Sequence, residues 1–276
     1  MKSIYQPVVK EGIRIQYLGQ AGFLLHTGGT GVLIDPYLSD YVISSGIGDP
    51  KLFSREFEAP LVPEELFGIN FIFITHDHAD HSDPLTLGPI LKNNPACIVI
   101  CPRPVVAGLA KLKFSTEKFL VPEIGVDINL GAITFQAIPS AHYELERDRQ
   151  TGEFKYLGFV LKPGGVVLYH SGDTILYEGL ESYLKNAAPR IDIACLPVNG
   201  RDKKREALGM VGNLLPEEAL HLAQSLGIDL VIPMHNDLFR VNQLDPQSIV
   251  ELARRDFPDQ KVKWMKHGDL LEYKRK

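Results

Sequence analysis

Short apolar runs separated by glycine-rich turns set the pattern of the first third of the chain. Residues 13–18, IRIQYL, alternate apolar and polar positions, as a half-buried strand does. GQAG then turns into FLLHT (23–27), and GGTG turns into VLIDP (32–36), which predicts a β-meander. Residues 37–60 have no period. With Gly46, Gly48, Pro50 and Pro60 they predict a long surface loop of the kind that often covers a binding site. VPEEL (62–66) predicts a helix start, with a proline and two acids in the first turn.

The apolar run FIFIT (71–75) predicts a buried strand, and residues 83–93 a helix opened by Asp83 as N-cap and Pro84 in the first turn. CIVIC (97–101) predicts another buried strand, followed by a helix in RPVVAGLAKL. Strands are expected in FLVPE, VDINL and 132–139, and a hairpin turning at KPGG over 156–173. Strands at 191–198 and 228–235 enclose a helix at 214–227, with Pro216 near its start and Gly227 at its end. A helix at 245–257 and strands in KVKWM and LLEYK complete the pattern. Strand meanders with helices between them in both halves predict two sheets face to face with helices outside, an α/β (α+β) architecture in one domain spanning 1–276.

Composition narrows the function classes. At 45% hydrophobic and 23% charged the 276-residue chain is an ordinary globular one, long enough for a sizeable core. A net charge of -5 disfavours a broad basic face, so no nucleic-acid partner is expected. No apolar run is long enough to span a membrane, and MKSIYQPVVKEG has no apolar leader core, which leads us to expect a cytoplasmic protein without a membrane partner. A homo-oligomer is compatible with the sequence. The three cysteines, Cys97, Cys101 and Cys195, are odd in number and do not have the common C-x₂-C zinc spacing, so buried reduced thiols are expected.

The chemistry gathers where the strand at 71–75 ends, in THDHADH. Imidazole nitrogen and carboxylate oxygen are ligands for zinc and similar divalent ions. His76 and His78 can point to one side of a turn, and Asp80 and His81 can reach a second ion beside the first. Three histidines and several acids this close are costly unless solvated or metal-bound. Further ligands should leave other strand ends. His142 in IPSAHYE, Asp173 in YHSGDT and His235 in IPMHND each follow a β-run, and a carboxylate such as Asp173 can bridge two ions.

THDHADH, a lone downstream histidine, SGDT and a final PMH together resemble the metallo-β-lactamase fold superfamily, along essentially the whole chain. The resemblance implies a four-layer αββα sandwich with metals at one edge of the two sheets. It implies His76, His78 and His142 at one ion, Asp80, His81 and His235 at the other, and Asp173 shared. Within that superfamily, PVNGRD (197–202) and the opening GQAGFLL resemble the ascorbate-6-phosphate lactonase branch, which opens a phosphate-bearing, sugar-derived lactone and is associated with manganese.

The expected function is therefore a metal-dependent hydrolase that opens a small anionic lactone or ester, with a phosphodiesterase on the same scaffold as the alternative. Two divalent ions sharing a water lower its pKa towards about 7 and polarise the oxygen under attack. Zinc or manganese suits the ligand set, and iron also does. Asp80 is expected to act catalytically by holding the water's proton. Asn199, Arg201 and Tyr143 are the expected substrate contacts, Arg201 because its planar fork suits phosphate or carboxylate. Asp77 and Asp35 are expected to hydrogen-bond ligand histidines or backbone amides from behind. His170 is either a proton donor or a packed strand-end residue, whereas His26, His221 and His267 are expected to be structural or solvated.

Overall fold

The computed structural model describes residues 12–275; the reading of the N-terminus falls almost wholly on residues 1–11, outside the described residues. Among the described residues the strands form two seven-stranded sheets. The first holds β1 (Ile13–Gly19), β2 (Gly22–Thr27), β3 (Thr30–Ile34), β4 (Ile69–Phe73), β5 (Ile98–Ile100) and β6 (Phe119–Leu120), with β14 (Leu270–Tyr273) beside β1. The second holds β7 (Ile128–Asn129), β8 (Ile133–Pro139), β9 (Leu157–Pro163), β10 (Leu168–His170), β11 (Ile193–Pro197), β12 (Leu230–Met234) and β13 (Lys261–Val262). The helices are α1 (Tyr41–Ser44), α2 (Pro50–Phe53), α3 (Pro84–Asn93), α4 (Arg103–Lys111), α5 (Leu180–Ala187), α6 (Lys203–Glu206), α7 (Pro216–Ser225) and α8 (Pro246–Asp256).

Alternation along the strands builds the layers. Ile13, Ile15, Phe23, Phe71 and Phe73 point between the sheets and meet Phe135, Phe159, Leu161, Ile193 and Met234 of the second sheet. The neighbouring positions Leu24, Leu33, Ile72 and Val99 point outward and are covered by Leu87 and Ile90 of α3 and Val105 and Leu109 of α4. Val160, Tyr169, Ala194 and Val231 of the second sheet are covered by α5, α7 and α8 in the same way. The predicted αββα sandwich is what forms. The continuous apolar run at 71–74 is explained by burial on both faces. Cys195 lies between the sheets, Cys97 and Cys101 lie under the helices, and all three are buried and unpaired.

In both sheets a parallel set follows an antiparallel one: β1–β2–β3 and β8–β9–β10 are antiparallel, while β3–β4–β5 and β10–β11–β12 are parallel. The strands β1, β3, β4 and β8, β10, β12 thus each send their C-terminal ends to one side of their sheet, and the loops that follow them carry the chemistry.

Several predicted elements are shorter than expected. FLVPE, VDINL and KVKWM contribute two-residue strands, because β6, β7 and β13 are edge strands that pair on one side only. Residues 62–66 form a single 3₁₀ turn, Pro63–Glu65. The Asn94 amide bonds Leu66 O and Ile69 N and draws the chain into β4 before a helix can grow. Residues 37–60 are not one loop but carry α1 and α2, which are too short to leave a period. They pack through Tyr37, Val42 and Phe53 on Leu238 and Phe239. No helix among the described residues is long and apolar enough to cross a membrane.

Candidate metal centre

His76, His78, His142 and Asp173 form one group, and Asp80, His81 and His235 a second; within each group the potential ligand atoms lie within 4.8 Å of one another. Asp173 connects the groups. Its Oδ1 is 3.5 Å from His81 Nε2, and its Oδ2 is 3.1 Å from His235 Nε2 and 4.0 Å from His142 Nε2. Asp80 Oδ2 lies 3.6 Å from His81 Nε2 and 3.5 Å from His235 Nε2. Ligands bonded to one ion at about 2.1 Å stand about 3 to 3.4 Å apart, so most of these separations approach the edges of a coordination polyhedron.

The strongest sign of a cation site is a set of orphaned atoms. Nε2 of His76, Nε2 of His81 and Oδ1 of Asp173 are buried without any hydrogen-bond partner. A buried polar atom left unpaired costs about 1–3 kcal/mol, so three on facing side chains of one cluster are unfavourable unless something binds them. Divalent ions at the two groups would take up the lone pairs of all three, and the nitrogen and oxygen donor set without thiolate fits zinc, manganese or iron.

The other ring nitrogens are tied from behind. Thr75 Oγ1 donates to Asp35 Oδ2 at 2.6 Å and lies 2.9 Å from His76 Nδ1. With its own proton given to Asp35, the hydroxyl accepts from His76 Nδ1–H and leaves the lone pair on Nε2. Asp35 Oδ2 is also 2.8 Å from His81 Nδ1, and Oδ1 accepts from Thr75 N at 2.8 Å. One buried carboxylate thus sets the orientation of two histidines, the usual outer partner of a metal-bound imidazole. Four of the five non-glycine residues with positive φ among the described residues, Gln20, Asp35, Tyr143 and His235, flank this cluster. Such strain collects where a site is tightly determined.

Electrostatics divides the histidines. Burial above all holds His76 well below its ordinary 6.5, with His81 and His78 adding to it, and burial lowers His142 to about 4. Burial also opposes charge on His81 and His235, but Asp173 and Asp80 outweigh it and raise them to about 9 and about 10. Burial would raise Asp80 and Asp173, yet His81 and His235 hold both carboxyls below the usual range.

A cavity of about 440 Å³ opens on the cluster. His78, Asp80, His142, Asp173 and His235 line it together with Asn199 and Asn242 and with Val42, Ile47, Phe53, Met210, Val211 and Phe239. Of the expected substrate contacts only Asn199 is on this wall. The Arg201 guanidinium grips Glu218 through both nitrogens at 2.6 and 2.7 Å and donates to Asn213 O, so its fork is already filled. Tyr143 turns its hydroxyl to Glu206 at 2.7 Å. Asp77 does not back a ligand; it is exposed at the cavity mouth. Asp35 does back one, and His170 packs behind the site with Nε2 2.9 Å from Ala21 O. His221 meets the Phe257 ring edge-on and His267 stacks on Phe57, and neither belongs to the two ligand groups.

Sequence reasoning missed Gln20 and Thr75. Gln20 Nε2 lies 2.8 Å from Asp80 Oδ2 and 3.0 Å from His235 Nε2, and the backbone carbonyl of Gln20 accepts from His235 N at 2.6 Å. The only signal was a long polar side chain inside the turn GQAG, which reads locally as turn chemistry. Thr75 was legible only as the last residue of an apolar strand.

The profile of the β-lactamase superfamily domain matches residues 30–236. A UPF0173 metal-dependent hydrolase of Caldivirga maquilingensis is 27% identical over 260 residues, covering 93% of this chain and 96% of that protein. Among solved structures, Igni18, a metallo hydrolase of Ignicoccus hospitalis, superposes with a TM-score of 0.71 at 20% identity, over 96% of this chain and 99% of that one. An isothiocyanate hydrolase from Delia radicum gut bacteria superposes with a TM-score of 0.73 at 17% identity, over 95% of this chain and all of the other. At these identities the two structures speak for the fold alone.

Proposed function

We propose, because this chain belongs to the β-lactamase superfamily, that it is a metal-dependent hydrolase that opens a lactone or carboxylic ester with water. The observation that carries this reading is the convergence of three orphaned buried ligand atoms, on His76, His81 and Asp173, beside a cavity. Its similarity to a UPF0173 metal-dependent hydrolase along nearly the whole chain supports the same class. Divalent ions held there supply acidity to water and polarise the substrate oxygen.

The residues of the chain do the rest. His76, His78 and His142 would hold one ion and Asp80, His81 and His235 the other, with Asp173 in reach of both groups. Asp80, at the cavity wall with the Gln20 amide on one oxygen, is placed to take a proton from the attacking water and orient it. Asn199 and Asn242 offer polar contacts to the substrate rim. The rival reading, a phosphodiesterase, and the expectation of an anionic substrate find less support. Among the described residues that line the cavity there is no Lys or Arg to meet a phosphate.

Protein stripped of metal and reloaded with zinc, manganese or iron(II) should be assayed on a γ-lactone, an aryl ester and bis-(p-nitrophenyl) phosphate. Turnover of the lactone or ester that disappears on chelation is expected. Turnover of the phosphodiester alone favours the rival, and turnover that survives chelation defeats both.

A further inference from the structure

The lining of the cavity outside the histidine–aspartate cluster has an unusual composition for a site expected to hold an anion. Val42, Ile47 and Phe53 come from the α1–α2 segment, Met210 and Val211 from the segment after α6, and Phe239 from the loop after β12. Ile47 is 66% exposed and Val211 38%, so apolar surface stands open at the mouth. Exposed apolar groups gathered around a cavity mark a binding surface more often than bare solvent contact.

Charge points the same way. Of the cations nearest in sequence to these residues, Arg240 pairs with Glu56 at 3.1 Å, and Lys51, exposed two residues before Phe53, does not line the cavity. Arg201 is held by Glu218, Arg205 by Asp202 at 2.6 Å, and Arg55 by the carbonyls of Tyr37, Ser39 and Phe57. Asp77, exposed at the rim, instead presents a negative charge to whatever enters. At that rim a phosphate group would meet the Asp77 carboxylate, and no Lys or Arg among the described residues that line the cavity.

From this arrangement we infer that the cavity takes an uncharged lactone or ester bearing an alkyl or aryl chain. The reacting carbonyl lies at the cluster, and the chain lies against the six apolar residues. The inference rests on the hydrolase reading for the reaction, but not for the binding. Hydrolysis adds water across the acyl C–O bond: a new C–O bond forms to the acyl carbon, the old one breaks, and the leaving oxygen takes a proton from the water. No oxidant or reductant is needed. The neutral substrate becomes a carboxylic acid that ionises by losing a proton to solvent, and Asp77 then repels the carboxylate from the same rim that admitted the substrate.

Binding of hydrolysis-resistant 5-alkyl-pyrrolidin-2-ones with propyl, butyl, pentyl and hexyl chains, followed by calorimetry on metal-stripped and on reloaded protein, tests this. Affinity should rise about 4-fold per added methylene. Val211→Ser and Phe53→Ser should each flatten that rise, and hexylphosphonate should bind the stripped protein at least about 10-fold more weakly than the hexyl lactam. Affinity that ignores chain length, absence of lactam binding, or tighter binding of the phosphonate to the stripped protein overturns the inference. If the lactams bind with the expected slope while reloaded protein hydrolyses no lactone, the hydrolase reading fails and the substrate pocket stands. If lactones are hydrolysed at rates indifferent to chain length, the reverse holds.

Discussion

Asp35 is the residue on which the geometry of the centre turns, although it faces no cavity. Through Thr75 and directly it holds the outer nitrogens of His76 and His81. Asp35→Asn keeps the size but lets an amide face a ring N–H, so metal affinity should fall about 10- to 100-fold with the fold retained. Competition with a chromophoric chelator measures the first and circular dichroism the second. Protons offer a separate test at this scale. Without metal, His81 and His235 carry protons up to about pH 9 and 10, whereas His76 and His142 are neutral at pH 7. An ion entering the Asp80–His81–His235 group must displace protons, so its affinity rises with pH until those values are passed. Calorimetry at pH 7.5 in buffers of different ionisation enthalpy should show about two protons released on filling the Asp80–His81–His235 group and fewer on filling the other. Equal release with both would contradict the division of the cluster. The motif at 76–81 was readable because its donors are adjacent in sequence. Gln20 was not, because its place between Asp80 and His235 exists only once β1 and β12 lie in facing sheets. Arg201 misled for the complementary reason: a free fork in sequence becomes a filled one when α7 brings Glu218 to it.

The turn after β10 shows how an element delivers a ligand. Gly172 sits at φ +60, and a Cβ there would meet Leu157 O at 2.6 Å and Thr75 Cβ at 2.8 Å. Both neighbours belong to the packed strand ends, so neither yields easily. Gly172→Ala should cost about 1–3 kcal/mol and displace Asp173, lowering both the denaturation midpoint and the number of ions bound. A variant with unchanged midpoint and full metal content would show that the turn has slack. The long strands were legible because β1 through β4 and β8 through β12 keep a period or a continuous apolar run over five or more residues in most cases. The two-residue edge strands and the four-residue helices α1 and α2 were not, because they are fixed by tertiary contacts such as Val42 and Phe53 on Phe239. For the same reason Arg201→Ala should act through structure. Loss of the Glu218 pair at the start of α7 should lower stability by about 1 kcal/mol and change kcat/KM alike for phosphorylated and neutral substrates. A selective rise in KM for the phosphorylated one would return Arg201 to the substrate.

Across the whole molecule the centre lies where the two sheets meet. His76, His78, Asp80 and His81 follow β4 of the first sheet, while His142, Asp173 and His235 follow β8, β10 and β12 of the second. Bound ions therefore fasten one sheet to the other at an edge, beside the apolar core that joins their faces. The folded form alone presents this cluster, so metal at about 100 times its Kd should add about 2.7 kcal/mol of stability, and chelation should lower Tm accordingly. The layer order was legible from the alternation of strands and helices, whereas the closeness of four strand ends from two sheets could be stated only through resemblance. The most direct test of that closeness as a metal centre is anomalous diffraction from a crystal of protein loaded with zinc or manganese. The account predicts two peaks, one among His76, His78 and His142 and one among Asp80, His81 and His235, with Asp173 touching both. No peak at these side chains, or ions bound elsewhere on the chain, would contradict it.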